Sequence, residues 1–191
     1  MKNIAIFASG NGTNCENIIR YFASSEDIKT SLVVTNNPNA KVIERSERLG
    51  IPVRVMTKAE INDRETMLRT LADNGIDMIV LAGFLLFIPA FLVDAYKDRI
   101  VNIHPSLLPE YGGKGMYGMR VHEAVKQNNE PLSGITIHYV SNEYDRGRII
   151  AQYSTPLLPT DSAEDIAEKV HELEYKHYPQ VLEKLIEGTV R

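Results

Sequence analysis

Apolar, strand-prone runs alternate with helical patterns through the first half of the chain, and this alternation narrows the possible architectures more than any other feature. Residues 3–8 (NIAIFA) read as a buried strand and 14–23 as the helix that follows it. Short strands at 32–35 and 53–56 flank a helix near 40–49, and a helix over 64–73 leads into strands at 78–82 and 100–104. This strand–helix alternation, in apolar strands, predicts an α/β fold: a Rossmann-like, open, mostly parallel twisted sheet with helices on both faces.

Beyond residue 104 the pattern changes. A loop rich in Gly and Pro occupies 105–118, a helix covers 121–127, and β runs at 134–140 and 149–156 are joined by a polar link holding Asn142, Asp145 and Gly147. That link predicts a C-terminal hairpin. The chain then turns helical from Ser162, with Asp161 and Glu164 spaced like a capping box and Pro179 placed to kink or restart the helix. No repeat or linker interrupts the sequence, so 1–191 reads as a single domain.

Charge and hydropathy restrict the partners. The net charge is -4 and no Lys/Arg run is present, which argues against nucleic acid and for small-molecule substrates. The longest apolar run, 78–93, is broken by Gly83 and Pro89 and is shorter than the roughly 20 residues that cross a bilayer. The one cysteine, Cys15, cannot form an internal disulfide, and residues 1–10 do not resemble a signal sequence. These features predict a cytoplasmic protein, monomer or homodimer, with no membrane association.

Ser9-Gly10-Asn11-Gly12-Thr13-Asn14 lies where the first strand enters the first helix. Helix N-termini offer free N–H groups and the positive end of a dipole, and glycine lets a phosphate approach the backbone. A plain tight turn with Thr13 or Asn14 as N-cap would use the same residues. The dinucleotide fingerprint is ruled out by Cys15 at its third glycine and by Thr35-Asn36-Asn37 where an acidic residue is needed. The triphosphate loop needs Gly-Lys-Ser/Thr, which is absent. A single phosphate monoester remains the best fit. Cys15 itself reads as a small packed residue.

Asn102-Ile103-His104-Pro105-Ser106 closes the strand at 100–104. Alternate side chains on a strand share a face, so Asn102 and His104 are presented together while Ile103 enters the core. The carboxyl ends of parallel strands are where open α/β sheets bind ligands. Farther on, Asp145-Arg146-Gly147 reads by itself as turn chemistry.

The segment Asn102–Ser106 followed downstream by an Asp-x-Gly turn resembles the folate-dependent formyltransferases. Within them, Gly-Asn-Gly-Thr-Asn at 10–14, Val80-Leu81-Ala82-Gly83-Phe84 and Ser106-Leu107-Leu108-Pro109 are similar to the branch acting on glycinamide ribonucleotide. The resemblance implies a phosphate and ribonucleotide site in the N-terminal half and a folate and catalytic site in the C-terminal half. It implies that Gly12, Thr13 and Asn14 hold the phosphate and that Glu174 binds the ribose or glycinamide end. Arg64 and the backbone of Leu85, Leu86, Phe87 and Ile88 would line the pocket for 10-formyltetrahydrofolate as co-substrate, Asn102 would touch its formyl group, and Val140 to Asp145 would close its pterin end. Asn102, His104 and Asp145 would be catalytic. Two departures stand out: Leu85-Leu86 replace a common Met-Arg pair, and Asn142 replaces a more usual acidic or aliphatic residue. The glycine-rich stretch 112–118 is also longer than in many relatives.

Formyl transfer needs an oxyanion stabiliser and a proton path but no Ser or Cys nucleophile, because the substrate amine attacks. Asn102 and a protonated His104 can donate to the oxyanion, and Asp145 would be the negative neighbour favouring the charged ring. No cluster has metal-ligand spacing, so no metal is expected. Two alternatives stay open: a formyltetrahydrofolate hydrolase and a non-catalytic phosphometabolite-binding protein. A methionyl-tRNA formyltransferase fits poorly, since its added C-terminal domain and basic surface are not expected here.

Overall fold

The computed structural model describes residues 1–189. The chain forms two compact units, Met1–Val101 and Asn102–Arg191. The first runs β1 (Lys2–Phe7), α1 (Thr13–Tyr21), β2 (Ile28–Thr35), α2 (Val42–Arg48), β3 (Val53–Val55), α3 (Lys58–Asn62), α4 (Arg64–Asp73), β4 (Met78–Leu81) and α5 (Ala90–Ala95). The boundary falls within β5 (Ile100–His104). The second unit continues with α6 (Met119–Gln127), β6 (Leu132–Tyr139), β7 (Ile149–Pro156) and α7 (Ala163–Ile186). The seven strands lie in one open sheet in the order β3-β2-β1-β4-β5-β6-β7. Pairs β1–β2, β1–β4 and β2–β3 are parallel and β6–β7 is antiparallel, giving the mostly parallel α/β sheet and the hairpin that the patterning predicts.

β1 sits between β2 and β4, and Ile4, Ala5, Ile6, Phe7 and Ala8 are fully buried. A strand paired on both edges and covered on both faces has no polar side to keep, which is why NIAIFA carries no alternation. Cys15 is buried with it; burial pushes its thiol up to about 12, so it is a packed residue and not a nucleophile.

Several local expectations are corrected. α1 is capped by Gly12 at φ 74 with no side-chain cap, not by Thr13 or Asn14. A Cβ at position 12 would stand 2.5 Å from Val42 Cβ, so the close approach of α2 requires glycine there. α3 and α5 have no counterpart in the pattern reading. α3 is five residues long and held by a Thr57–Glu60 capping box, and α5 starts after Pro89 inside what reads as one long apolar run.

In the second unit α7 packs against α6, β6 and β7. Its capping box is Ser162 with Asp165, one residue later than Asp161 with Glu164. Asp161 instead accepts from Leu158 N–H at 2.8 Å and from Lys169 Nζ at 2.5 Å. α7 does not restart at Pro179. The proline removes an N–H from the ladder, but Tyr178, Pro179, Val181 and Leu182 are all buried, and that packing carries the helix through. Among the described residues no helix is long and apolar enough to cross a membrane.

Candidate functional site

β5 delivers Asn102 and His104 to the start of the second unit, with Ile103 between them 7% exposed in the core. Asp145 reaches them from the β6–β7 connection, in the left-handed region at φ 53. Its Oδ2 lies 3.6 Å from His104 Nδ1, near enough for charge attraction and too long for a hydrogen bond. The turn is held close because Gly147 leaves room for the carbonyl of Tyr139: a Cβ there would stand 1.6 Å from that oxygen. The three expected catalytic residues therefore converge, and all belong to one unit.

His104 is 4% exposed, and its Nε2 lies 2.8 Å from the carbonyl oxygen of Tyr111. A carbonyl only accepts, so Nε2 carries a proton and Nδ1 is the nitrogen turned toward Asp145. The Gly113 N–H donates to Asp145 Oδ2 at 2.9 Å. One loop thus grips the imidazole through a carbonyl and the carboxylate through an amide. Tyr111 is anchored in turn: its hydroxyl donates to Glu130 Oε1 at 2.6 Å and accepts from Asn128 Nδ2 at 2.7 Å.

The segment after His104 is fastened to the hairpin. Thr136 Oγ1 donates to the Ser106 carbonyl at 2.7 Å and accepts from Leu108 N–H at 2.9 Å. Gln152, opposite Thr136 in the β6–β7 register, donates Nε2 to Leu108 O and to Thr136 Oγ1, both at 2.9 Å. Ser106 Oγ donates to Glu110 O at 2.7 Å, so this hydroxyl is a loop brace.

A second histidine completes the cluster and was not singled out by the sequence. His138, 2% exposed on β6, stands 3.1 Å through Nε2 from Asn102 Nδ2 and 3.7 Å from Asp145 Oδ1. Burial lowers its pKa, against the opposing pull of the Tyr139 carbonyl and Asp145. The available signal was its position in the strand: His138 and Thr136 share a face. Tyr111, Gly113 and Gln152 left no such signal, because two act through the main chain and one through cross-strand register.

Glu174 is 6% exposed on α7, with Oε2 3.7 Å from His171 Nε2. Val140 is partly exposed just past β6. In the first unit, the Gly12 turn opens α1, whose N-terminal N–H groups receive no side-chain cap. Ser9 Oγ braces this region, donating to Asn36 Oδ1 at 2.5 Å and accepting from Leu85 N–H at 2.9 Å. Arg64 opens α4 with its guanidinium 5.9 Å from the centre of the Phe91 ring. Leu85 and Phe87 are exposed, Leu86 is partly exposed and Ile88 is buried. Beside the loop, Arg20, Arg45 and Arg48 surround Glu16; the hydrogen bonds from Arg20 and Arg45 hold its carboxyl down at about 2. Among the described residues no group of three or more His, Cys, Asp or Glu side chains is arranged to hold a metal ion.

Chemically, the second unit offers an amide, two imidazoles and a carboxylate around one point, in buried surroundings that strengthen each charge interaction. Residues 2–182 match the family model described as formyl transferase. The chain is 38% identical over its whole length to the chloroplastic phosphoribosylglycinamide formyltransferase of Arabidopsis thaliana, spanning 67% of that protein. It is 37% identical to the phosphoribosylglycinamide formyltransferase of Bacillus subtilis, covering 97% of this chain and 95% of the relative. Two crystal structures bearing the same enzyme name are similar in fold. That from Anaplasma phagocytophilum has a TM-score of 0.88 at 30% identity, covering 98% of this chain and 88% of its own. That from Bacillus halodurans has a TM-score of 0.87 at 37% identity, covering 97% and 95%. With sequence, fold and the β5 motif in agreement, this chain belongs to the formyl transferase family.

Proposed function

We propose that the protein transfers the formyl group of 10-formyltetrahydrofolate to the amino group of glycinamide ribonucleotide, yielding formylglycinamide ribonucleotide and tetrahydrofolate. The observation that carries this reading is the grouping of Asn102 and His104 from β5 with Asp145 from the β6–β7 connection, while the Ser106 hydroxyl is spent on Glu110 and Cys15 is buried, so neither serves as a nucleophile. The substrate amine supplies the nucleophile. Its nitrogen bonds to the formyl carbon, the carbonyl oxygen becomes an oxyanion, and an N–H of Asn102 stabilises it. The bond from carbon to the folate nitrogen then breaks. The proton leaving the amine passes to that nitrogen, with Nδ1 of His104 and a water ordered by Asp145 as the path, since Nε2 of His104 is committed to Tyr111.

In the same reading Gly12, Thr13 and Asn14 bind the ribonucleotide phosphate, Glu174 its glycinamide end, and Arg64, the Leu85 to Ile88 backbone and Val140 the folate. The whole chain acts as one enzyme in the cytoplasm on small molecules, without a metal. The test is turnover with both substrates, following formylglycinamide ribonucleotide by mass spectrometry. Free formate released without ribonucleotide would replace this reading by a hydrolase. Tight ligand binding with no product would replace it by a binding protein.

A further inference from the structure

We propose that His138 is a positioning residue that fixes the orientation of the Asn102 amide by accepting its N–H at a bare ring nitrogen. The inference deepens the formyl-transfer reading and rests on it for the effect on rate. His138 Nδ1 lies 2.9 Å from the carbonyl oxygen of Tyr139. That oxygen can only accept, so the ring proton sits on Nδ1 and Nε2 keeps its lone pair. Nε2 faces Asn102 Nδ2 at 3.1 Å. Only the NH₂ end of the amide can donate to it, so the amide is held with Oδ1 turned away and one N–H left over for a ligand oxygen.

The distance to Asp145 agrees with a bare Nε2. It is 3.7 Å to Oδ1, whereas a protonated Nε2 beside a carboxylate closes to about 2.7–2.9 Å. Burial of the ring, 2% exposed, favours the uncharged form as well. Were the ring protonated at Nε2, the amide would have to turn over to offer Oδ1, and the donor would move away from its present place. Asn102 is only partly buried, and its side-chain nitrogen meets His138 at 3.1 Å.

Two variants separate the donor from the acceptor role. In H138N the shorter amide can still donate to the Tyr139 carbonyl but does not reach Asn102. In H138Q the longer side chain can place its oxygen where Nε2 now accepts. The expected result is a fall of roughly 10–100-fold in kcat for H138N with KM within about twofold, and recovery to within about fivefold of wild type in H138Q, as for a contact felt mainly in the transition state. Equal activity of H138N and wild type, or equal loss in both variants, would overturn the proposal.

A second readout does not depend on turnover. Long-range proton–nitrogen NMR of the wild type near neutral pH should show His138 protonated at Nδ1 alone, and the Asn102 side-chain amide signals should shift in H138N and return in H138Q. An Nε2-protonated ring would refute the orientation. A wild type that transfers no formyl group would overturn the reaction reading, and the tautomer measurement would still decide the claim about Asn102.

Discussion

Replacing Thr136 by valine tests whether the hairpin holds the segment after His104. The two side chains have nearly the same shape and Thr136 is fully buried, so the change opens no cavity and removes only the hydroxyl. That hydroxyl serves the Ser106 carbonyl, the Leu108 N–H and Gln152. Gln152 keeps its bond to Leu108 O, so two backbone groups lose their partner, in residues 1% and 6% exposed. A buried polar group stripped of its partner costs about 1–3 kcal/mol. Two of them sum to roughly 2–6 kcal/mol, and the valine methyl recovers about 1 kcal/mol of transfer energy. We expect a net loss of roughly 1–5 kcal/mol. At about 2–4 °C per kcal/mol for a chain of this size, Tm should fall by roughly 2–20 °C. Urea unfolding followed by circular dichroism measures it, with Thr136→Ser as the control that keeps the hydroxyl. If the valine variant is as stable as wild type, the hairpin does not hold this segment in the way described.

Asn102→Ala should lower kcat by roughly 10²–10³-fold with little change in substrate affinity, and steady-state kinetics with a loss confined to KM would remove it from the oxyanion role. Gly12→Ala should destabilise by about 2–4 kcal/mol, since alanine meets both a left-handed backbone and Val42, so binding measured by calorimetry on that variant must be compared with its stability. His122, 4% exposed, has its pKa lowered to about 4, chiefly by burial. A depressed folded-state pKa means the unfolded chain takes up the proton first. Stability is then complete above about 6.5 and falls by about 1.4 kcal/mol per pH unit down to about 4, roughly 3 kcal/mol in all. Urea titrations across that window should show a shallower slope in His122→Asn, and an unchanged slope would count against the assignment.

Strands β1 to β3 were legible because each is an apolar run with a helical pattern after it, β6 and β7 because a short polar link joins them, and Asn102 and His104 because strand alternation puts them on one face. Asp145 was legible only through its family resemblance, as turn chemistry alone predicts nothing about a histidine some forty residues earlier. His138 was hidden for another reason. It looks like one more residue of a buried strand, and its role depends on which ring nitrogen meets the Tyr139 carbonyl. α3 was missed because five residues give too little periodicity, although Thr57 and Glu60 carried its capping signature. The one-residue error at the start of α7 arose because Asp161 and Ser162 both suit an N-cap, and the bonds from Leu158 N–H and Lys169 draw Asp161 elsewhere.

The loop that reaches His104 and Asp145 does so with a carbonyl at 111 and an amide at 113. Every amino acid but proline carries both groups, but the path that delivers them leans on residue type, since Tyr111 sits at φ 56 and Gly113 at φ 97, the left-handed region that glycine enters freely. At 111 the contact asks for a carbonyl and not for a particular side chain, whereas at 113 the amide is delivered by a conformation that favours glycine. Side-chain truncation at 111 leaves its carbonyl in place and so does not read this contact. Exchanging the whole loop between relatives is the experiment that would expose what it contributes.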